Sequence, residues 1–492
     1  MTDGTTLLPN GWRIQPAGKH LRVGDMPLNL IQTPDSRYLI VTSNGLARPS
    51  FSVIDIANWS VKGTMTLDNA WLGLAWHPDG TKLYSSGAGQ NNVQEFNYAD
   101  GVITRARTFA LPAVTGQSFA GGLAISPDAS TLYVTRVFAQ TVSAIDLASG
   151  LVTKTLALPA EPYGNVVSAD GRKLYVSLWG GSRIQVYTLP SMILLEEWHS
   201  DEHPNALLLS RDGKRLFVAC GNSSSVWVYD TFSGEALEQI SMSLFPDAPR
   251  TSTPNSLALS PDGLTLIVSN GDTNAVAVVD VSNGGRSLIN GFVPTGWYPT
   301  GAIFSNDGKQ IFVLSGKGLV SAAKPTDDDG QVRLQGAVSA LPTPDRVALA
   351  EYSRRVLAVT PYTDAIRMNP TVPVGSPIPR VVGGSSPIKH VFYIIRENRT
   401  YDSILGDMKQ GNGDPSLTLF GPIITPNAHA LASQFVLFDN FYVDADVSYD
   451  GHAFSTGAYA TDVVQKLWQT FYGNRGGLYL AEGDGFMRSD LS

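Results

Sequence analysis

Seven close copies of one short motif recur along the first two thirds of this chain, and they restrict its fold more than any other feature. Each copy couples a tight turn to a run of β-formers: TPDSRYLIV from Thr33, HPDGTKLYS from His77, SPDASTLYV from Ser126, SADGRKLYV from Ser168, SRDGKRLFV from Ser210, SPDGLTLIV from Ser260 and SNDGKQIFV from Ser305. The shared aspartates Asp35, Asp79, Asp128, Asp170, Asp212, Asp262 and Asp307 follow one another at intervals of 42 to 50 residues. Self-similarity at such a period marks repeated supersecondary units.

The local chemistry says which unit. In Pro-Asp-Gly and its variants, Pro presets its φ, Asp can bond its own backbone, and Gly takes a positive φ at no steric cost. A short apolar strand precedes each turn, as in NSLALS and NALLLS, and a second alternating run follows about ten residues after the motif, as in FSVIDI, VSAIDL, VWVYDT and VAVVDV. Three or four strands per unit, with no helical period between them, predict four-stranded propeller blades. Seven units predict an all-β seven-bladed propeller over 11–342. The alternating stretch 11–25 is expected to complete the last blade, which closes the ring without leaving an open edge. In the seventh unit, 316–335 reads as a polar loop and 336–342 as the returning outer strand.

Composition narrows function. The 492 residues are 43% hydrophobic and 16% charged with a net charge of -8, which is globular and gives little electrostatic reason to bind nucleic acid. The single cysteine, Cys220, sits in a predicted strand and reads as a small buried side chain rather than a nucleophile. No apolar run is long enough to span a bilayer, so no transmembrane segment is expected, and the first residues lack the pattern of a signal peptide.

The texture changes after residue 342. A helix is expected from Thr343 as cap and Pro344 as first residue, with Leu349, Tyr352, Val356 and Val359 at helical spacing up to Pro361. Residues 361–387 are rich in Pro and Gly, so 343–387 reads as helix and linker. From 388 onward strands are expected over 389–395 (KHVFYII) and 435–443 (FVLFDNFYV). Helices are expected after Asn398, over 427–433 and over 453–468. Strand, helix, strand, helix is the beginning of an α/β sheet, and 388–492 therefore reads as a partial domain.

Two groups of residues in it could carry chemistry. Glu397 and Asn398 follow the first expected strand, where an adjacent carboxylate and amide oxygen could both reach one cation; equally, Glu397 can pair with Arg396 or Arg399 while Asn398 caps the helix. The loop DADVSYDGH places Asp444, Asp446, Ser448, Asp450 and His452 after the second, where a hydroxyl before a helix N-terminus could attack phosphorus. Asp and Gly are also common in plain strand-to-helix loops. In the propeller, 296–300 (GWYPT) and 201–204 (DEHP) suit either recognition or packing.

LYVTR at Leu132 and LYVSL at Leu174 make the repeats similar to the YVTN-type seven-bladed propeller. The runs HVFYIIRENRTYDSILGD, TPNAHALASQFVLFDNFY and DADVSYDGHAFSTGAYATD resemble the phosphoesterase family that includes phosphatidylcholine-type phospholipase C and acid phosphatases, a branch of the alkaline phosphatase superfamily. The order of the parts resembles bifunctional propeller/alkaline-phosphatase-family proteins. The resemblance implies an all-β propeller followed by the N-terminal part of an α/β alkaline phosphatase-like domain. It further implies a metal-dependent phosphoester hydrolase with a divalent metal ion as cofactor, Glu397 and Asn398 as metal ligands, Ser448 as nucleophile with His452 beside it, and a periplasmic or secreted location. The family's remaining ligands are expected beyond Ser492, so this chain by itself is expected to be inactive and to leave Phe392, Ile394, Phe435 and Leu437 partly exposed. The alternative reading is a non-catalytic propeller whose face binds a ligand or protein.

Overall fold

The computed structural model describes residues 3–246, 248, 252–320, 334–361, 372–379, 384–443 and 445–475. Seven four-stranded antiparallel sheets, each one blade, account for most of the first 342 residues. Blade 6 shows the plan: Pro254–Leu259 lies innermost, the Ser-Pro-Asp-Gly turn leads to Thr265–Asn270, then come Ala275–Asp280 and the outermost strand Leu288–Pro294. In six of the seven turns the Ser or Thr that opens the motif donates to the Asp carboxylate two residues on, at 2.5 to 2.6 Å; in the second, His77 takes that place at 2.8 Å from Asp79. The Ser305 hydroxyl and the Lys309 amide bond the Asp307 carboxylate and hold its pKa at about 2. Gly263 takes φ +74° in its turn, whereas Ser36 and Ala129 hold the left-handed conformation without that freedom, at +62° and +58°.

The ring closes as the N-terminal stretch predicts. Lys19–Asp25 pairs antiparallel with Gln335–Pro342, with Lys19 opposite Ala340 and Leu21 opposite Val338. This makes the N-terminal strand the outermost of blade 7 and 335–342 the third, one place further in than expected. Of the loop expected at 316–335, residues 316–318 continue the strand Gln310–Gly318 and 321–333 lie outside the described residues. Blades pack on one another through apolar faces; Tyr175, Ile184 and Val186 of blade 4 meet Leu216, Val218 and Cys220 of blade 5. Cys220 is fully buried, and burial pushes its thiol pKa up.

The helix after the propeller is Arg346–Val359, and its cap is Asp345 rather than Thr343: the Asp345 carboxylate accepts from the Ala348 amide at 2.8 Å, while the Thr343 hydroxyl donates back to Gly308. Leu349 and Val356 are its buried face.

The chain divides into two compact units, Met1–Pro361 with Ala445–Ser492, and Tyr362–Asp444. Among the described residues the second unit holds the helices Tyr401–Leu405 and Pro426–Gln434 and the single 3-10 turn Pro415–Leu417, but no strand. Residues 389–395 and 435–443 are therefore not the strands that their composition predicts. A strand needs neighbours to pair its N–H and C=O groups, and two isolated runs supply no stable sheet. Phe392, Ile394 and Phe435 are 72–90% exposed, and Leu437 is half-buried. The α/β domain that these runs suggested is not formed by the described residues. Within this unit His429 bridges Asp407, at 2.9 Å, and Thr425, and the Asp407 carboxylate raises its pKa.

The helix expected over 453–468 is two helices, Ser448–Gly457 and Asp462–Tyr472. Ala458 stops the first in a left-handed cap at φ +65°, and the Thr461 hydroxyl starts the second by accepting from the Val464 amide. Both belong to the propeller's unit.

Candidate functional site

The helix Asp462–Tyr472 closes one end of the propeller's central bore, and it is buried on every side. Val463, Leu467 and Phe471 enter a cluster with Trp71, Phe119, Tyr163, Trp179, Trp297 and Tyr298 from four blades, and with Leu8, Trp12 and Ile14 of the N-terminal segment. Trp297 and Tyr298 are thus packing residues of the bore, and His203 stacks on Trp179 with ring centroids 4.1 Å apart. That assigns Trp297, Tyr298 and His203 to packing.

The helix also carries charge inside. Lys466 Nζ lies 2.7 Å from Asp462 Oδ2, and both side chains are 1% exposed. Three more donors converge on the Asp462 carboxylate: Tyr298 Oη at 2.8 Å, Asn255 Nδ2 at 3.1 Å and Tyr163 Oη at 3.4 Å. Such a charge survives burial only because its lone pairs are taken up. Burial, with Asp462 adding to it, drives both tyrosine pKa values well above normal. Around the rim, Asn44 Nδ2 donates to Thr470 Oγ1 at 2.9 Å, Asn69 Nδ2 to the Arg475 carbonyl at 2.6 Å, and Arg475 to the carbonyls of Gly45 and Ala47. Burial lowers the Arg475 pKa to about 10.

The loop before the helices is held by a propeller lysine. Lys317 Nζ is 2.7 Å from Asp446 Oδ2, with both side chains under 10% exposed, and lies over the Trp297 ring at 5.1 Å. Burial pulls the Lys317 pKa down, and the nearby Asp446 and Asp450 carboxylates more than offset it, leaving it raised. Asp450 is fully buried and accepts from the amides of Asp446 and Val447 at 3.1 and 2.9 Å. Ser448 is the first residue of the helix Ser448–Gly457. His452 follows one turn later, so the two share a helix face.

Glu397 and Asn398 fall in the other unit. Both are exposed, and Asn398 sits at φ +62°. The cap of the following helix is Thr400, whose hydroxyl accepts from Ser403 N, so Asn398 does not cap it. As placed, the two provide a pair of donors, and among the described residues no three His, Cys, Asp or Glu side chains are grouped to hold a metal ion. A two-donor set does not meet the three or four protein ligands that a firm site requires. Structure thus brings Ser448 and His452 onto one helix and leaves Glu397 and Asn398 in a separate unit.

The buried Asp462–Lys466 pair and the Lys317 clamp are not apparent from the sequence motifs. Opposite charges at i and i+4 were the available signal for the first, but that spacing ordinarily marks a solvated face.

The fold defines a seven-bladed β-propeller whose bore is closed by a helix of its own chain. No protein-family model matches the chain, and no curated protein matches it. Among solved structures it is similar to hydrazine synthase from Kuenenia stuttgartiensis, at 19% sequence identity and a TM-score of 0.50, over 61% of this chain and 96% of that one. At that identity the likeness is one of fold. No helix among the described residues is long and apolar enough to cross a membrane.

Proposed function

We propose that this chain is the propeller-bearing part of a phosphoester hydrolase, in which the propeller serves as a rigid seat for the segment that carries the nucleophile. One observation supports the reading most: the run that resembles the phosphoesterase nucleophile motif folds with the propeller, where Lys317 neutralises Asp446, two residues before Ser448. In this reading the Ser448 hydroxyl attacks phosphorus as the bond to the ester oxygen breaks, the N-terminus of its helix stabilises the charge that develops, and His452 on the same face passes the Ser448 proton to the leaving oxygen; water then releases phosphate from Ser448. A divalent metal is the cofactor that the resemblance implies. Glu397 and Asn398 are its proposed ligands, and they need at least one further donor from outside the described residues.

The test is turnover of an aryl phosphate, with and without added divalent metal, by the protein as its own cell produces it. Ser448→Ala should abolish turnover and leave bound metal unchanged, whereas Glu397→Gln should lower bound metal. Phosphoserine at position 448 should be trapped and seen by mass spectrometry. Undiminished turnover in Ser448→Ala, or no metal-dependent turnover at all, overturns the reading.

A further inference from the structure

We propose that the closed end of the propeller bore is a binding pocket for a small uncharged amphiphile, a molecule with a hydroxyl head and an apolar body of several carbons, entering from the face that carries the aspartate turns. Beneath the helix Asp462–Tyr472 lies a cavity of about 220 Å³ bordered by Asn29, Asn165, Asn205, Asn255 and Lys466. Toward the turn face a second cavity of about 420 Å³ follows, walled by Leu30, Ile31, Leu208, Leu259 and Ile303 and ending at Gln32, Arg211 and Asn306. Leu257 borders both. Together they reach the size of ordinary ligand pockets, roughly 300–1,000 Å³ with apolar walls and a few placed polar groups.

The polar groups at the closed end specify the head. Asn165 and Asn255 are over nine-tenths buried. Their amide nitrogens are engaged, Asn165 with the Tyr133 carbonyl and Asn255 with the Pro299 carbonyl and Asp462. Their Oδ1 atoms have no hydrogen-bond partner among the described residues. The Lys466 ammonium has three N–H donors and, among the described residues, one acceptor, Asp462. An acceptor for the Lys466 ammonium is therefore what the pocket floor lacks, and a hydroxyl oxygen supplies one. Because Asp462 already balances Lys466, a carboxylate or ammonium head would be buried with no counter-charge of its own, which costs several kcal/mol. Above the floor the leucine collar takes the apolar body.

Isothermal titration of the full chain with 1-hexanol, hexanoate and hexylammonium tests this directly. Saturable binding of one 1-hexanol is expected, with both charged analogues at least about tenfold weaker. Ser256→Phe and Ala206→Phe, which each fill the floor cavity from a different blade, should abolish binding while the melting temperature stays close to that of the parent. No saturable binding of 1-hexanol, which would leave the bore to water alone, overturns the proposal. So does tighter binding of hexanoate, or unaltered binding in both filled variants. Should the variants fail to fold, the comparison of the three head groups on the parent chain decides. None of these outcomes bears on Ser448, so the phosphoester reading stands or falls separately.

Discussion

Removing the Asp462 carboxylate should release the helix that closes the bore while leaving the blades folded. In Asp462→Ala, Lys466 keeps its position at 1% exposure but loses the carboxylate that holds it, 2.7 Å away. Tyr298 loses its acceptor as well, and Asn255 keeps only the Pro299 carbonyl. Breaking a buried ion pair from one side costs about 3–5 kcal/mol, because the remaining charge is uncompensated. At 1.36 kcal/mol per tenfold change in an equilibrium constant, local opening of the helix should rise by roughly 10² to 10³ and more. Hydrogen exchange of the amides from 464 to 472 reads this opening residue by residue. The double variant Asp462→Asn/Lys466→Met keeps similar volume without either charge, and should recover most of the lost protection. The blades hold themselves through their own sheets and inter-blade clusters, so their amides should change little. Unchanged exchange in Asp462→Ala would refute the argument, as would a double variant no better than the single one.

Deleting residues 1–25 removes the outer strand of blade 7 and bares the edge of Gln335–Pro342; the propeller melt by calorimetry should fall by about 10 °C or more, and an unchanged melt contradicts closure by that strand. Ser36→Gly and Ala129→Gly should each stabilise the chain by about 1 kcal/mol in denaturant unfolding, since both residues hold left-handed backbone that costs other residues this much; a loss of stability would show that their side chains matter more. Burial pushes Asp272 up to about 6 from 3.8 even though Thr253 donates to it. A raised carboxylic acid contributes stability that is full below about pH 4 and lost as the pH rises through 6. Asp272→Asn should therefore be more stable relative to the parent at pH 7.5 than at pH 4.5, by at most about 3 kcal/mol, and a difference independent of pH rejects the assignment.

The blades and their number are written in the sequence because the information is local and repeated. Each Ser-x-Asp turn bonds within five residues, and the β-rich runs that follow, such as Tyr38–Ser43 and Ala275–Asp280, are buried on both faces. Closure was legible for the same reason, since a propeller with an unpaired edge strand at 335–342 has one remaining candidate to cover it, at 19–25. The segment after 388 read differently. KHVFYII and FVLFDNFYV have strand composition, but a strand is a pairing, and no partner among the described residues supplies it. The resemblance named Ser448 and Glu397, yet resemblance carries no coordinates, and the two lie in different units. Least visible was the helix Asp462–Tyr472, where Lys466, Gln465 and Gln469 look like a solvated face. They are buried because Tyr298, Asn255 and Tyr163, brought together from three blades, meet its charge in the bore. Periodicity and turn chemistry act over a few residues and can be read in one dimension, whereas satisfying a buried carboxylate takes donors some 160 to 300 residues apart in the chain, and only the tertiary structure brings those to one place.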